Sequence, residues 1–240
     1  RLDSPAKVTG AIKYAADMFM PNMLHMQVLR SPHPHARIVR IDTDLARSLP
    51  GVECVLTCDD VPGVDNFGVF IEDQPTLARD VVRYVGEAVV AIAAENLDIA
   101  RAALALIHVE YEELPSLFDP HEAMKDGAVQ LHSFAQNNIC KHTRIRKGDV
   151  DAALAQADII VEQTYNTQSI EHAYLEPEAG LAYLEADGCV TVQSPSQNIT
   201  HHRHMLARIL GRPINKVRMI MSTVGGGFGG KEDMIYQGIL

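Results

Sequence analysis

Glycines at positions 225, 226, 227, 229 and 230 surround a single phenylalanine, and this run restricts the fold more than any other stretch of the sequence. Glycine costs roughly 0.5–1 kcal/mol relative to alanine in regular structure, so such a run is useful only where the backbone closely approaches something else. It follows a strand-like segment, Lys216–Ser222, and leads into Lys231–Gln237, which is predicted to open a helix. Free amides at a helix start attract anions, so the run predicts a ligand site built from backbone N–H groups.

The run formally matches two nucleotide-binding motifs. Gly225, Gly227 and Gly230 satisfy G-x-G-x-x-G, and Gly225 with Gly230-Lys231 begins a P-loop. A P-loop needs Ser or Thr after the lysine to hold Mg²⁺, whereas position 232 is Glu, which would repel a triphosphate. A dinucleotide fingerprint belongs in a first βαβ unit with an acidic residue about 20 residues later, and this run is not placed that way. A nucleotide-binding function is therefore not expected.

Composition excludes other classes of partner. The 240 residues carry 21 basic and 31 acidic side chains, a net charge of −10, without a basic tract for nucleic acid. No apolar run reaches the roughly 18 residues of a membrane span, and no export signal is visible. The four cysteines are too scattered for a disulfide framework or a C-x-x-C metal site. We expect a cytoplasmic protein that contacts neither nucleic acid nor membrane.

Residues 1–115 predict an α+β domain, because strands and helices mix without a repeated βαβ period. Residues 116–147 are rich in Pro, His, Asn and Gln and predict a linker. Asn96 is expected to cap a helix over Leu97–Leu106. Six strands are predicted, the fourth and fifth forming a pair: Met23–Leu29, Ala36–Ile41, Val52–Thr57, Val81–Val85, Ala88–Ala93 and Ile107–Glu113.

Residues 148–240 predict a second set of elements. A short helix starts at Asp149, and a strand is expected over Asp158–Gln168. Asp187-Gly188 is a type I′ turn signal that predicts a hairpin between Gly180–Glu185 and Cys189–Gln193. A helix capped by Ser196 or Asn198 is expected to run to Leu210.

Several segments, in the same order, resemble the xanthine dehydrogenase and aldehyde oxidase family. Three segments resemble the family's molybdenum-binding part: Ile170–Gly180, Ser194–Asn198 and Gly225–Glu232. Three others resemble the family's α/β-hammerhead domain: Arg1–Gly10, Arg30–Ala36 and Val85–Val89. The resemblance implies an α+β fold, with a hammerhead domain at 1–115, a linker at 116–147 and the N-terminal part of a molybdopterin-binding domain at 148–240.

The resemblance also implies a chemistry. The family's molybdenum subunits carry a molybdenum–molybdopterin cofactor, in bacteria often the cytosine dinucleotide form, and hydroxylate a carbon beside a heteroatom with oxygen from water. Electrons leave through 2Fe–2S clusters and FAD on partner domains or chains. The implied partners are the rest of the molybdenum subunit, iron–sulfur and FAD subunits, and a small-molecule substrate.

The resemblance also implies roles for specific residues. Gln197 matches the glutamine near the apical oxo ligand of molybdenum, and Gly227, Phe228 and Gly229 match the backbone that donates to the oxo or sulfido end. Glu232 matches the substrate-orienting carboxylate, which favours a purine or related N-heterocycle. Taken without the family, Glu232 is interpreted as a carboxylate at a helix N-terminus, stabilised by the helix dipole. No residue is expected to ligate the metal directly.

The chemistry needs a general base to deprotonate the metal-bound water. The family base lies towards the C-terminus, so it is expected beyond Leu240, and Glu171, Glu176 and Glu178 are interpreted as structural. The chain alone is expected to be a truncated, inactive part of an enzyme. A non-catalytic assembly or binding module and an aldehyde-oxidising relative are the alternatives.

Four histidines have simpler interpretations. His201, His202 and His204 occupy helix positions i, i+1 and i+3, which do not converge on one ion. A structural hydrogen bond is favoured for His172 over contact with substrate.

Overall fold

The computed structural model describes residues 3–234 and 239–240. The chain forms two compact units, one comprising residues 1–114 and 172–240, the other Pro115–Glu171. The strands are β1 (His25–Arg30), β2 (Ala36–Asp42), β3 (Val52–Leu56), β4 (Asn66–Phe67), β5 (Gln74–Pro75), β6 (Val81–Val82), β7 (Ala88–Ala94), β8 (His108–Glu113), β9 (Leu181–Leu184), β10 (Val190–Ser194) and β11 (Val217–Met221). The helices are α1 (Ser4–Val8), α2 (Asp44–Arg47), α3 (Leu97–Leu104), α4 (Pro120–Ala123), α5 (Val150–Ala155) and α6 (Ile199–Ile209). The predicted α+β class is confirmed.

The apolar strand β7 organises the first half of the larger unit. It lies between β1 and β3, both antiparallel to it, while β2 lies between β6 and β8 in a second sheet. Helix α3 begins as predicted, because Asn96 accepts a hydrogen bond from the Ile99 amide at 2.9 Å. The central strand and its neighbours supply the core residues Val55, Val82, Val89, Val90 and Ile92.

The predicted pairing of Val81–Val85 with Ala88–Ala93 is wrong. Strand β6 ends at Val82 and pairs with β2, whereas β1 and β3 occupy the two edges of β7. The connection between β6 and β7 is a turn in which the buried Glu87 carboxylate accepts from the Arg83 amide at 2.6 Å. Alternating apolar residues therefore predicted the strands but not their partners.

A third sheet places the glycine run. Strand β10 pairs antiparallel with β9 and parallel with β11, and α6 connects β10 to β11. The predicted hairpin is confirmed, but its turn is not type I′, because only Gly188 has a positive φ, of 78°, where that type needs two such residues. The parallel strands β10 and β11 end on the same edge, from which both Gln197 and the glycine run extend.

Helix α6 is supported by the loop that follows β3. The Val64 amide donates to the Arg208 carbonyl at 2.9 Å, and the Gly68 amide donates to Met205 Sδ at 3.4 Å. The Gly68 carbonyl also contacts His201 Nε2 at 3.2 Å. Residues from the first half of the sequence thus hold α6, which begins two residues after Gln197.

The smaller unit contains α4 and α5. The short helix expected to start at Asp149 is present as α5, and Asp149 is its N-cap, accepting from the Ala152 amide at 3.0 Å. The strand predicted over Asp158–Gln168 is wrong: these residues are exposed and have no strand structure. A strand needs a neighbour for its amides and carbonyls, and none lies beside this segment in the described part of the unit. No described helix of either unit combines the length and apolar character needed to cross a bilayer.

Candidate functional site

The glycine run, residues 225–230, forms a tight turn. Gly226 and Gly229 have φ values of 113° and 98°, and Phe228 adopts 53°, so three of four consecutive residues are left-handed. Such residues cannot continue a right-handed helix. The helix expected from Lys231 is accordingly wrong for residues 231–234, while residues 235–237 of that prediction lie outside the described residues.

The amides of this turn divide into two groups. Gly225 donates to Glu176 Oε2 at 2.6 Å, and Gly229 donates to Gln197 Oε1 at 3.0 Å. Buried or half-buried amides are normally paired, so unpaired neighbours are informative. Three successive amides donate to no acceptor within residues 3–234 and 239–240: Gly226, Gly227 and Phe228. These three successive amides are therefore candidate hydrogen-bond donors for an oxo, sulfido or phosphate group.

The Gln197 side chain lies against the glycine run. Its backbone amide donates to the Lys231 carbonyl at 2.8 Å, and its Oε1 accepts from Gly229 N at 3.0 Å and Lys231 N at 3.2 Å. Because both partners are N–H donors, the oxygen must face them. The side-chain nitrogen Nε2 then has no acceptor within the described part of the chain and is available to a ligand.

The close approach that the glycines predicted is present. A Cβ at Gly227 would lie closer than 3.0 Å to Gln197 Oε1, and one at Gly230 closer than 3.0 Å to the Tyr174 ring. A Cβ at Gly225 would meet the Glu176 side chain at a similarly forbidden distance. Glycine is therefore required because Gln197 and the segment 174–176 pack directly on the backbone.

The sequence did not predict the ion pair that is buried beneath the glycine run. Lys231 Nζ lies 2.6 Å from Glu176 Oε2, and the exposed fractions of the two side chains are 0% and 3%. The ammonium also faces the Tyr174 ring, 4.6 Å from its centroid. Lys231 is thus engaged inside the protein and is not a phosphate ligand, in agreement with the rejection of a P-loop. Glu176 has the structural role expected of it.

Glu232 follows this buried lysine and is exposed. Its amide donates to the Gly229 carbonyl at 3.1 Å, and its own carbonyl lies 2.8 Å from His202 Nε2. No hydrogen bond engages its carboxylate among the described residues, and none of the described helices begins at or next to it. The carboxylate is therefore available to a small molecule.

The three helix histidines do not form a metal site. His201 contacts Gly68, His202 is fully buried, and His204 is exposed, so their rings have different surroundings. Residues 3–234 and 239–240 contain no group of three or more His, Cys, Asp or Glu side chains placed to hold a metal. His202 is instead a structural residue that sequence reasoning missed, since its ring fixes the Glu232 backbone.

The pH dependence of stability is expected to report His202. Burial lowers the pKa of its imidazole, so the unfolded chain binds the proton more readily. The stability contributed by the neutral ring is complete above the ordinary histidine pKa of about 6.5 and is lost as the pH falls through the folded value. Melting temperatures measured from pH 7.5 down to pH 5 should fall less steeply in His202→Gln than in the wild type, normalised to the pH 7.5 value.

The matched control for this prediction is His204→Gln, on the exposed face of the same helix. Its pH profile should follow the wild type. Identical slopes for both variants and the wild type would contradict the role of His202.

Comparison with known families defines the class of protein. A family model described as "Aldehyde oxidase and xanthine dehydrogenase, a/b hammerhead domain" matches residues 9–115. A second, described as "Molybdopterin cofactor-binding domain", matches residues 131–240. A hammerhead domain joined to a molybdopterin-binding domain is characteristic of the molybdenum oxidoreductases. The chain belongs to the xanthine dehydrogenase and aldehyde oxidase family.

Individual relatives agree. The chain is 43% identical to the nicotinate dehydrogenase large molybdopterin subunit of Eubacterium barkeri, over 99% of this chain and 55% of the relative. It is 34% identical to the xanthine dehydrogenase molybdenum-binding subunit of Escherichia coli O157:H7, over 98% of this chain and 32% of the relative. The aldehyde oxidoreductase structure from Desulfovibrio gigas superimposes with a TM-score of 0.89 at 27% identity, covering all of this chain and 28% of that one. The chain therefore spans about half or less of the length of each of these three proteins.

Proposed function

We propose that this chain is part of a molybdenum hydroxylase that oxidises a purine or related N-heterocycle with water as the oxygen source. The observation that carries the proposal is the row of unpaired amides at Gly226, Gly227 and Phe228, which lies beside the Gln197 side chain. The exposed Glu232 carboxylate follows in the same segment. One short segment thus carries both the backbone hydrogen-bond donors for a cofactor and the side-chain hydrogen-bond acceptor for a substrate.

The residues present fit a molybdenum–molybdopterin cofactor. Its oxo, sulfido and phosphate groups are acceptors, and the amides of Gly226, Gly227 and Phe228 are donors that no acceptor among the described residues engages. Gln197 would donate through Nε2, because its Oε1 is already engaged by the glycine run. The bound cofactor would supply the two-electron oxidation, and the chain would hold and orient it. The cytosine dinucleotide form, and electron transfer to 2Fe–2S and FAD partners, belong to the same proposal.

The substrate assignment rests on Glu232. An ionised carboxylate only accepts hydrogen bonds, and a protonated one also donates, so it can pair with the N–H edge of a heterocycle. Xanthine and nicotinate, in the names of two relatives, both contain ring nitrogen. An aldehyde offers no N–H to this group. Aldehyde oxidation is the second candidate, favoured by the similarity to the Desulfovibrio gigas enzyme.

Substituting Glu232 with alanine is expected to separate these substrates. A hydrogen bond to a charged group contributes about 1.5–3 kcal/mol, so kcat/KM for a purine should fall about 10- to 100-fold. Turnover of an aldehyde should change less than about threefold, because that substrate makes no such bond. The measurement is steady-state kinetics of the assembled enzyme with both substrates.

Glu185→Gln is the control, since this carboxylate pairs with Arg218 at 2.5 Å on the third sheet, away from the glycine run. It should leave both activities at the wild-type level. Equal losses for purine and aldehyde in Glu232→Ala would rule out the orienting role. The general base expected beyond Leu240, the inactivity of the chain alone and the cytoplasmic location stay predictions.

A further inference from the structure

One carboxylate oxygen joins the two ends of the glycine run. Glu176 Oε2 accepts from the Gly225 amide at 2.6 Å and from Lys231 Nζ at 2.6 Å. Gly225 is the first glycine of the run, and Lys231 follows the last. A single atom therefore closes the loop at its base.

The rest of the lysine head group is held by the same segment. Lys231 Nζ reaches the Glu176 carbonyl at 3.3 Å, and the Tyr174 ring covers its remaining side. A charge removed from water is stable only when it is paired and its hydrogen bonds are satisfied. Removing either partner would leave the other charge buried and unpaired, which costs more than breaking an exposed ion pair.

Closing the glycine run matters because glycine has a more flexible backbone than any other residue. An open run would sample many conformations, in which the amides of Gly226, Gly227 and Phe228 turn away from one another. A preorganised row of donors avoids that entropy loss when a ligand binds.

We propose that Glu176 and Lys231 are positioning residues that keep the glycine run closed, so that its three unpaired amides are preorganised for the cofactor. The inference rests on the proposed function, and both residues act through the loop without touching the cofactor. The loop would lose its fixed base without the pair, and the chain would retain cofactor poorly even where the rest of the site is intact.

The test compares Glu176→Gln with wild type in the complete protein and its accompanying chains. Gln preserves the size of the side chain but removes the charge opposite Lys231. Molybdenum and pterin content after purification should fall about tenfold. Amide hydrogen exchange in residues 225–231, measured on protein stripped of cofactor, should accelerate about tenfold or more. Glu185→Gln, which breaks the exposed pair with Arg218, should change neither quantity.

Each outcome decides between the claims. If wild type contains no molybdenum, the proposed function fails, while the exchange comparison still tests loop closure. Wild-type exchange and cofactor content in Glu176→Gln would overturn the positioning role. If that variant does not fold, the double variant Glu176→Gln/Lys231→Met, which leaves no unpaired charge, replaces it and should show the same fast exchange and low cofactor content; wild-type values there would equally overturn the proposal.

Discussion

Lys231→Met is expected to lower the free energy of unfolding by about 3–5 kcal/mol. Methionine fills much of the lysine volume but leaves the Glu176 carboxylate buried without its counter-charge. The carboxylate cannot recover hydration in place, so the loss exceeds that of the attraction alone. Urea unfolding followed by circular dichroism measures the change.

Two comparisons isolate the cause. Lys216→Met removes a lysine that is 41% exposed and whose Nζ donates to the Asp187 carbonyl at 2.7 Å, and should cost less than about 1 kcal/mol. The double variant Glu176→Gln/Lys231→Met should recover much of the stability, since it removes both charges together. A Lys231→Met protein as stable as Lys216→Met would contradict the buried pair.

Gly227→Ala is expected to damage both stability and cofactor binding. The added Cβ would displace Gln197 Oε1, which accepts from the amides of Gly229 and Lys231. Each amide left without an acceptor costs about 1–3 kcal/mol. Cofactor content should fall about tenfold or more, because the same movement takes Gln197 Nε2 from its place. Molybdenum analysis and thermal unfolding measure the two effects.

A double-mutant cycle tests the cause of this loss. If the clash with Gln197 dominates, then Gln197→Ala/Gly227→Ala should be little worse than Gln197→Ala alone. Gly127→Ala controls for the loss of a glycine without a clash, because nothing lies within 4 Å of its added Cβ, and its φ of 80° adds a strain that Gly227 does not have. Full additivity in the cycle, or equal effects of Gly127→Ala and Gly227→Ala, would contradict the argument.

Local signals predicted much of the fold. Asn96 caps its helix as expected, and a helix starts beside Asp149 as expected, since a cap needs only a side chain three residues before its partner amide. The glycine run predicted a close approach of backbone and free donors, and both are present. These features depend on neighbours within a few residues, which the sequence displays directly.

Contacts between residues that are far apart in the sequence could not be predicted from these local signals. Glu176 and Lys231 are 55 residues apart, and nothing in either segment indicates that they meet. The segment Asp158–Gln168 has strand composition but forms no strand within the described smaller unit, because propensity does not specify a partner. Gln197 was found through family resemblance, and only the structure assigns its oxygen to the glycine run and leaves its side-chain nitrogen available.

The most decisive test of a cofactor site at the glycine run is the molybdenum and pterin content of the protein purified with its accompanying chains. We expect stoichiometric molybdenum and pterin in wild type and in Glu185→Gln, and a loss of about tenfold in Gly227→Ala. A wild-type protein without molybdenum or pterin, isolated under conditions in which related enzymes are loaded, would contradict a cofactor site at the glycine run.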